Sequence, residues 1–332
     1  MIRLAPCILA IAGCLTIASP GQCLMGRPVP VTGGPTEVRI VVAVHDIDEI
    51  NAVSQSFETN VYFEARWHDP RLAHGGDDEL TVSMTEAWHP RLQFLNQQRV
   101  VQTLPPILEV LPNGEVTYRQ KTWGPFSQPL DVEDFPFDSQ RFSLVIHSAG
   151  FEADEVVLVP DPDRPSGISP GLSVADWAIH ALELESFELI AYTAAEPTAA
   201  LSASFDADRY SSYYVLKVIV PLIFILAMSW TVFWLDPSLA GTQIGVATTS
   251  MLTLIAYRFT VGAFVPKVPY LTRMDTFILA STILVFCSLV LAVWTAFLAA
   301  REQRARAVAI ERQCRWILPA LSATVFAVSF FF

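Results

Sequence analysis

Six histidines, His45, His68, His74, His89, His147 and His180, are the first place to look for a metal or an acid–base centre. None pairs with another at ligand spacing on a definable element. The serines sit in no nucleophile elbow, and neither a phosphate-cradling nor a dinucleotide-binding glycine pattern occurs. Asp77-Asp78-Glu79 could hold a calcium ion, but three acids beside Gly75-Gly76 read better as a solvated surface turn. No catalytic residue, cofactor or metal is expected, because the acids, histidines and serines form no recognisable constellation. What remains is a stripe. Thr242, Gly245, Thr249, Leu252, Ala256, Phe259 and Ala263 recur at steps of three or four and therefore share one helical face. Within an apolar segment, such a face needs either small-residue helix packing or water. The spacing alone does not choose between them.

The elements that carry this stripe are apolar. Four stretches, Val215–Leu235, Ile244–Val265, Thr276–Ala300 and Trp316–Phe332, crowd the end of the chain. A bilayer core of roughly 30 Å takes about 20 apolar residues as a helix, so each stretch is long enough or nearly so. The expected spans are 213–235, 242–263, 274–300 and 314–332, within a membrane domain covering 210–332. The charge divides at the same place. Residues 31–209 carry 29 acidic and 10 basic side chains, whereas residues 210–332 carry 4 and 9. An acidic outer part disfavours nucleic acid as a partner and concentrates cations nearby.

Arg301, Arg304, Arg306, Arg312 and Arg315 stand between the third and fourth spans and mark that connection as cytoplasmic. Four spans then put both the N-terminal domain and Phe332 outside. The N-terminus has Arg3 followed by an apolar run to Ala18 and small, turn-forming residues, so 1–23 reads as a secretory signal peptide. A fifth membrane helix and a lipoprotein box at Cys14 are the alternatives. Residues 31–209 contain no cysteine, so apolar burial alone must hold that domain.

Residues 24–209 read as β-structure. Val38–Val44 and Arg141–His147 are apolar, β-branched or aromatic runs, and Glu183–Ile190 alternates polar with apolar. Turn signals recur at His74–Asp78, Pro112-Asn113-Gly114, Ser148–Gly150 and Pro160–Gly171. The expectation is an Ig-like antiparallel sandwich of about ten strands followed by a four-helix transmembrane bundle.

One loop is specific. Asp131-Val132-Glu133-Asp134-Phe135-Pro136-Phe137-Asp138-Ser139-Gln140 resembles the signature loop of the Cys-loop receptor superfamily, the pentameric ligand-gated ion channels. The flanking cysteines would fall at Gln128 and Phe142, so the disulfide is absent, as is usual in bacterial members. Trp67–Leu72, and Trp88-His89-Pro90 with Asn96, resemble two strand motifs of that family. Ser229–Leu235 resembles the first membrane helix of its bacterial amine-gated branch, and Val265–Thr272 the link between the second and third helices.

The resemblance implies a homopentamer in the bacterial inner membrane, with membrane lipid, a small-molecule agonist (an amine among the candidates) and permeating inorganic ions as partners. It makes the stripe the pore lining, with Leu252 and Phe259 as apolar constrictions and Thr249 and Gly245 at the narrower inner end. Cation selectivity is expected from the acidic outer domain. Gly241-Thr242-Gln243 lacks the carboxylate of cation-selective relatives, which keeps anion selectivity as the alternative. The agonist site implied by the resemblance takes Phe57, Tyr62, Gln93, Leu95, His147, Phe151 and Tyr192. Ala149 and His147 depart from the family's aromatic and acidic positions. That makes a primary amine doubtful and proton gating an alternative. Phe135, Pro136, Phe137, Asp138, Arg209 and Pro269 are the expected coupling residues, with Arg209 paired to Asp138 or another acid at the junction.

Overall fold

The computed structural model describes residues 29–30, 33–190, 196–236, 238–262 and 268–331. The signal-peptide expectation for 1–23 and the site candidates Tyr192 and Ala263 lie outside the described residues.

Among the described residues, twelve strands build the outer domain: β1 (Thr36–Asn51), β2 (Ser56–His68), β3 (Leu80–Ser83), β4 (Leu92–Phe94), β5 (Val101–Gln102), β6 (Ile107–Val110), β7 (Glu115–Ser127), β8 (Ser139–Ser148), β9 (Val156–Pro160), β10 (Gly167–Ile168), β11 (Trp177–Leu189) and β12 (Thr198–Arg209). An eight-stranded sheet runs β10-β1-β2-β7-β6-β3, with β5 on β7 and β9 on β1. The second sheet runs β11-β12-β8-β4. The three apolar or alternating runs lie in β1, β8 and β11 as expected. The two strands beyond ten are accounted for by the two-residue pieces β5 and β10, too short to leave a period in the sequence.

Every second side chain of β2 and β8 faces inward, as a two-residue period requires. The middle of the sandwich is aromatic. Phe57 meets Phe126, Phe142 and Phe205 at ring-centre distances of 5.7, 5.1 and 6.0 Å, and Trp177 closes on Phe142 at 5.9 Å. Phe142, where a family cysteine would stand, is a fully buried member of this cluster, while Gln128 accepts a hydrogen bond from the Ser143 amide. Packing thus holds the position that a disulfide holds elsewhere in the superfamily. The Pro112-Asn113-Gly114 turn closes with Gly114 at φ +86°, where a Cβ would stand 2.8 Å from the Asp69 carbonyl oxygen.

Four helices follow, each long and apolar enough to cross a membrane: α1 (Ser212–Trp234), α2 (Ala240–Val261), α3 (Arg273–Ala300) and α4 (Arg304–Phe331). In α1 the backbone widens to a π-turn over Val215–Ile219 just before Pro221, which has no amide proton to give. Helix α3 opens on a capping box in which Thr272 and Asp275 satisfy each other's backbone amides. The start of α4 differs from expectation. The helix begins at Arg304, ten residues before 314, so Arg304, Arg306, Arg312 and Arg315 lie on its first turns and not in a loop. Arg, Ala, Glu and Gln are good helix formers, so the helix continues past the point where hydropathy falls.

Candidate functional site

The junction between the sandwich and the helices is held by a buried set of polar and aromatic contacts. Arg209 ends β12, and its guanidinium forks onto Asp138, Nε to Oδ1 at 2.8 Å and Nη2 to Oδ2 at 3.0 Å. Both side chains are almost fully buried. Trp177, Phe135 and Tyr214 enclose the cation with their ring centres 4.1, 5.1 and 5.8 Å from it. Gln140 donates to Asp138 Oδ2 at 2.8 Å and also to the Asp131 carbonyl oxygen. The carboxylate therefore has donors on both oxygens, which a buried charge requires.

The same loop grips three helices. Phe135 stacks edge-on against Tyr214 of α1 at 4.8 Å, and Phe137 against Phe330 of α4 at 5.7 Å. The Val132 amide donates to the Tyr270 hydroxyl at 3.2 Å, and the Arg273 amide at the start of α3 donates to the Glu133 carbonyl oxygen at 2.9 Å. Arg273 also gives Nε to Asp134 Oδ1 at 2.7 Å and Nη1 to the Phe330 carbonyl oxygen at 3.0 Å. Phe135, Asp138 and Arg209 therefore meet directly, with Pro136 following a cis peptide between the two rings. Pro269 is exposed, and the contact from that link is made by Tyr270 instead. Arg273, Tyr270 and Trp177 are the residues that sequence reasoning missed. Their partners Asp134, Val132 and Arg209 are 139, 138 and 32 positions away in the chain, too far for any local pattern to show.

Helix α2 has two unlike faces. Gln243, Ala247, Ser250, Leu254 and Val261 are buried against the other helices. Thr242, Gly245, Thr249, Leu252, Ala256 and Phe259 are all exposed, Leu252 by 62% and Phe259 by 80%. The stripe is thus intact and faces away from its own bundle. Thr249 donates its hydroxyl proton back to the Gly245 carbonyl oxygen at 2.8 Å, and Thr253 to Thr249 in the same way. These hydroxyls consequently present lone pairs outward. Arg258 is exposed beside the stripe and lines a groove with Leu254, Phe259 and Thr282. Asp275 is engaged in the α3 cap, so it is not the partner of Arg258.

The agonist candidates divide between sheets. Gln93 and His147 stand directly opposite each other on the outer face of β4 and β8. Phe151 packs edge-on against Trp88 at 5.3 Å, under the Arg91 guanidinium at 5.5 Å. Leu95 is exposed on the same edge. Tyr62 projects from the other sheet and donates to Glu64 at 3.1 Å. Burial and Glu64 push its phenol above the ordinary range, so it remains a hydroxyl donor at neutral pH. Phe57 requires correction: it is fully buried within the phenylalanine cluster and offers no ring face to a ligand. Within one chain the Gln93–His147–Phe151 group and Tyr62 look outward from opposite sides of the sandwich. They can share a ligand only across two copies. Burial pushes the His147 imidazole below its ordinary value of 6.5, and its Nδ1 has no hydrogen-bond partner.

Among known proteins, the neurotransmitter-gated ion-channel ligand binding domain family matches residues 25–220, and the neurotransmitter-gated ion-channel transmembrane region family matches residues 218–326. The chicken (Gallus gallus) gamma-aminobutyric acid receptor subunit beta-4 is 25% identical over 270 residues, 77% of this chain. The match spans 54% of that relative, so about half of its length has a counterpart here.

Two outcomes follow from this geometry. Asp138→Asn and Arg209→Gln should each lower the stability of the solubilised protein by about 3–5 kcal/mol, the cost of stranding one buried charge. The double variant should cost clearly less than the sum, and additive losses in thermal unfolding would show that the fork carries no coupling. Because the imidazole of His147 is held low, its stabilising contribution is present above the ordinary value of 6.5 and lost as pH falls through the depressed one. His147→Gln should flatten the part of the stability–pH curve that falls away below the ordinary imidazole value of 6.5.

Proposed function

The chain belongs to the neurotransmitter-gated ion-channel family, a family of channels and not of enzymes, and from that premise we propose that it is a subunit of a ligand-gated channel whose pore is lined by α2. The observation that carries this reading is the exposed stripe of α2. Small, hydroxylated and apolar groups alternate there in a helix whose opposite face is fully packed. Closed rings bury such a face against water and not against lipid. Five copies, as the superfamily resemblance implies, give a homopentamer, with residues 24–209 as the ligand-binding unit and 210–332 as the channel unit. The four helices after an outer domain fit a multi-pass membrane protein. The absent cysteine pair and the Ser229–Leu235 run support the bacterial branch and an inner-membrane setting, with both ends of the mature chain outside.

Cations are the preferred permeant ions. On the stripe, Thr249 spends its hydroxyl proton on the Gly245 carbonyl oxygen and offers only an acceptor, which replaces water around a cation and not around an anion. The charge count of residues 31–209 adds to the same bias. The anion reading rests on a specific observation too: no carboxylate stands on the stripe, and Arg258 is exposed beside it.

The agonist site would form between outer domains, with Gln93, His147 and Phe151 from one copy and Tyr62 from the next. Arg91 places a fixed positive charge beside Phe151, and His147 is neutral at pH 7, so a simple primary amine is poorly matched. A small zwitterion, with a carboxylate for Arg91 and an amine for ring faces, fits better. That class agrees with the name of the chicken gamma-aminobutyric acid receptor subunit.

In planar bilayers under a salt gradient, agonist-evoked current should reverse near the cation equilibrium potential. Leu252→Ser should open at lower agonist concentration or leak without agonist, because a hydroxyl removes the dewetting barrier. Reversal near the anion potential would exchange the two selectivity readings. An unchanged response in Leu252→Ser would remove that residue from the gate.

A further inference from the structure

The inner end of α2 holds two buried oxygen atoms with nothing bonded to them. Gln243, on the face opposite the stripe, is fully buried. Its Nε2 donates to Glu311 Oε1 of α4 at 2.8 Å, with the Leu235 and Val232 carbonyl oxygens at 3.2 and 3.4 Å. Glu311 is fully buried as well. Gln243 Oε1 and Glu311 Oε2 nevertheless have no hydrogen-bond partner. Two orphaned oxygens on two groups already joined by one bond are an expensive arrangement, and more so when one group is an ionised carboxylate.

The neighbouring groups do not resolve it. Arg315, one turn along α4, gives its Nε to the Phe233 carbonyl oxygen at 2.7 Å, and no ion pair joins it to Glu311 among the described residues. Asp236, in the connection before α2, is taken by Arg304 at 2.9 Å. From α3 the Thr295 hydroxyl lies against the Glu311 carboxyl group, but its proton goes to the Ala292 carbonyl oxygen at 3.1 Å, so it gives Glu311 Oε2 no donor. Cys314, buried on α4, is the other titratable neighbour. The inner ends of α1 and α2 contribute no ionisable side chain among the described residues.

We propose that Glu311 carries a proton on Oε2 and donates it to Gln243 Oε1, closing a two-bond acid–amide pair that fixes the inner end of α2 against α4. A single proton gives both orphaned atoms a partner. A carboxylic acid and a primary amide are complementary in this way, each offering one donor and one acceptor. Thr242 and Gly245 lie on the same turns as Gln243, on the other face, so the pair sets where the inner end of the stripe stands. Glu311 and Gln243 are in this sense positioning residues. The consequence for an ion path rests on the pore reading of α2, whereas the proton and the anchoring contact do not.

The test uses the full chain in lipid nanodiscs at neutral pH. Infrared spectra in deuterated buffer should contain the carbonyl stretch of a protonated carboxyl group, and it should disappear in Glu311→Gln. Amide hydrogen exchange over residues 240–250 should be as slow in Glu311→Gln as in the wild type, because glutamine keeps a donor and an acceptor. In Glu311→Ala it should be about tenfold faster, the scale of one lost buried hydrogen bond. Identical wild-type and Glu311→Gln infrared spectra would overturn the proton. Equal exchange in all three proteins, or loosening in Glu311→Gln as great as in Glu311→Ala, would overturn the positioning role. The infrared comparison stands even if the alanine variant fails to fold.

Discussion

Helix α2 cannot satisfy both of its faces within one chain. Its packed side is complete, with Gln243, Ala247, Ser250, Leu254 and Val261 buried among the other helices. Its other side carries threonines, a glycine and two large apolar residues that stay exposed among the described residues. Lipid is a poor solvent for hydroxyl-lined backbone, and a lone subunit leaves Phe259 almost fully exposed. A ring of copies relieves both demands by turning the stripes toward a shared water column. On the proposed reading, α1, α3 and α4 are the wall that orients α2, and the sandwich stands above the opening that the copies would enclose.

What connects the sandwich to that wall is a small set of side chains around residues 131–138. The fork between Arg209 and Asp138 is buried, doubly hydrogen-bonded and boxed by three aromatic rings. A buried pair of this kind adds little net stability over an apolar substitute, but it enforces one geometry. Arg273 extends the constraint by holding Asp134 with one nitrogen and the end of α4 with another. These contacts tie the ends of β8 and β12 to the adjoining ends of α1, α3 and α4, and on the proposed reading they are the route by which a shift in the sandwich would reach the helices.

Much of this was legible in the sequence, for identifiable reasons. Apolar, β-branched and aromatic runs exposed β1 and β8, period-two alternation exposed β11, and the long apolar runs exposed the spans. The three-and-four spacing of Thr242 through Phe259 predicted a common face that the structure keeps. The resemblance left Arg209 to pair with Asp138 or another acid at the junction, and the structure gives it Asp138. The failures are equally specific. Phe57 and Tyr62 are five residues apart on one strand, an odd separation that sends them to opposite faces, so both could not serve one ligand. The polar start of α4 was hidden because hydropathy detects the membrane and not the helix. Arg91, Arg273 and the Gln243–Glu311 pair depend on contacts between segments distant in the chain, which single-sequence periodicity does not encode.

The account stands on α2 facing water, and thiol chemistry reads that most directly. Single cysteines placed in turn through residues 240–262, in a background lacking Cys287 and Cys314, can be challenged with a charged aqueous thiol reagent on the protein in lipid bilayers. Reaction should be fast at 242, 245, 249, 252 and 256 and slow at 243, 247, 250 and 254, following a helical period. Uniform protection along both faces would mean that no water column exists and would contradict the account.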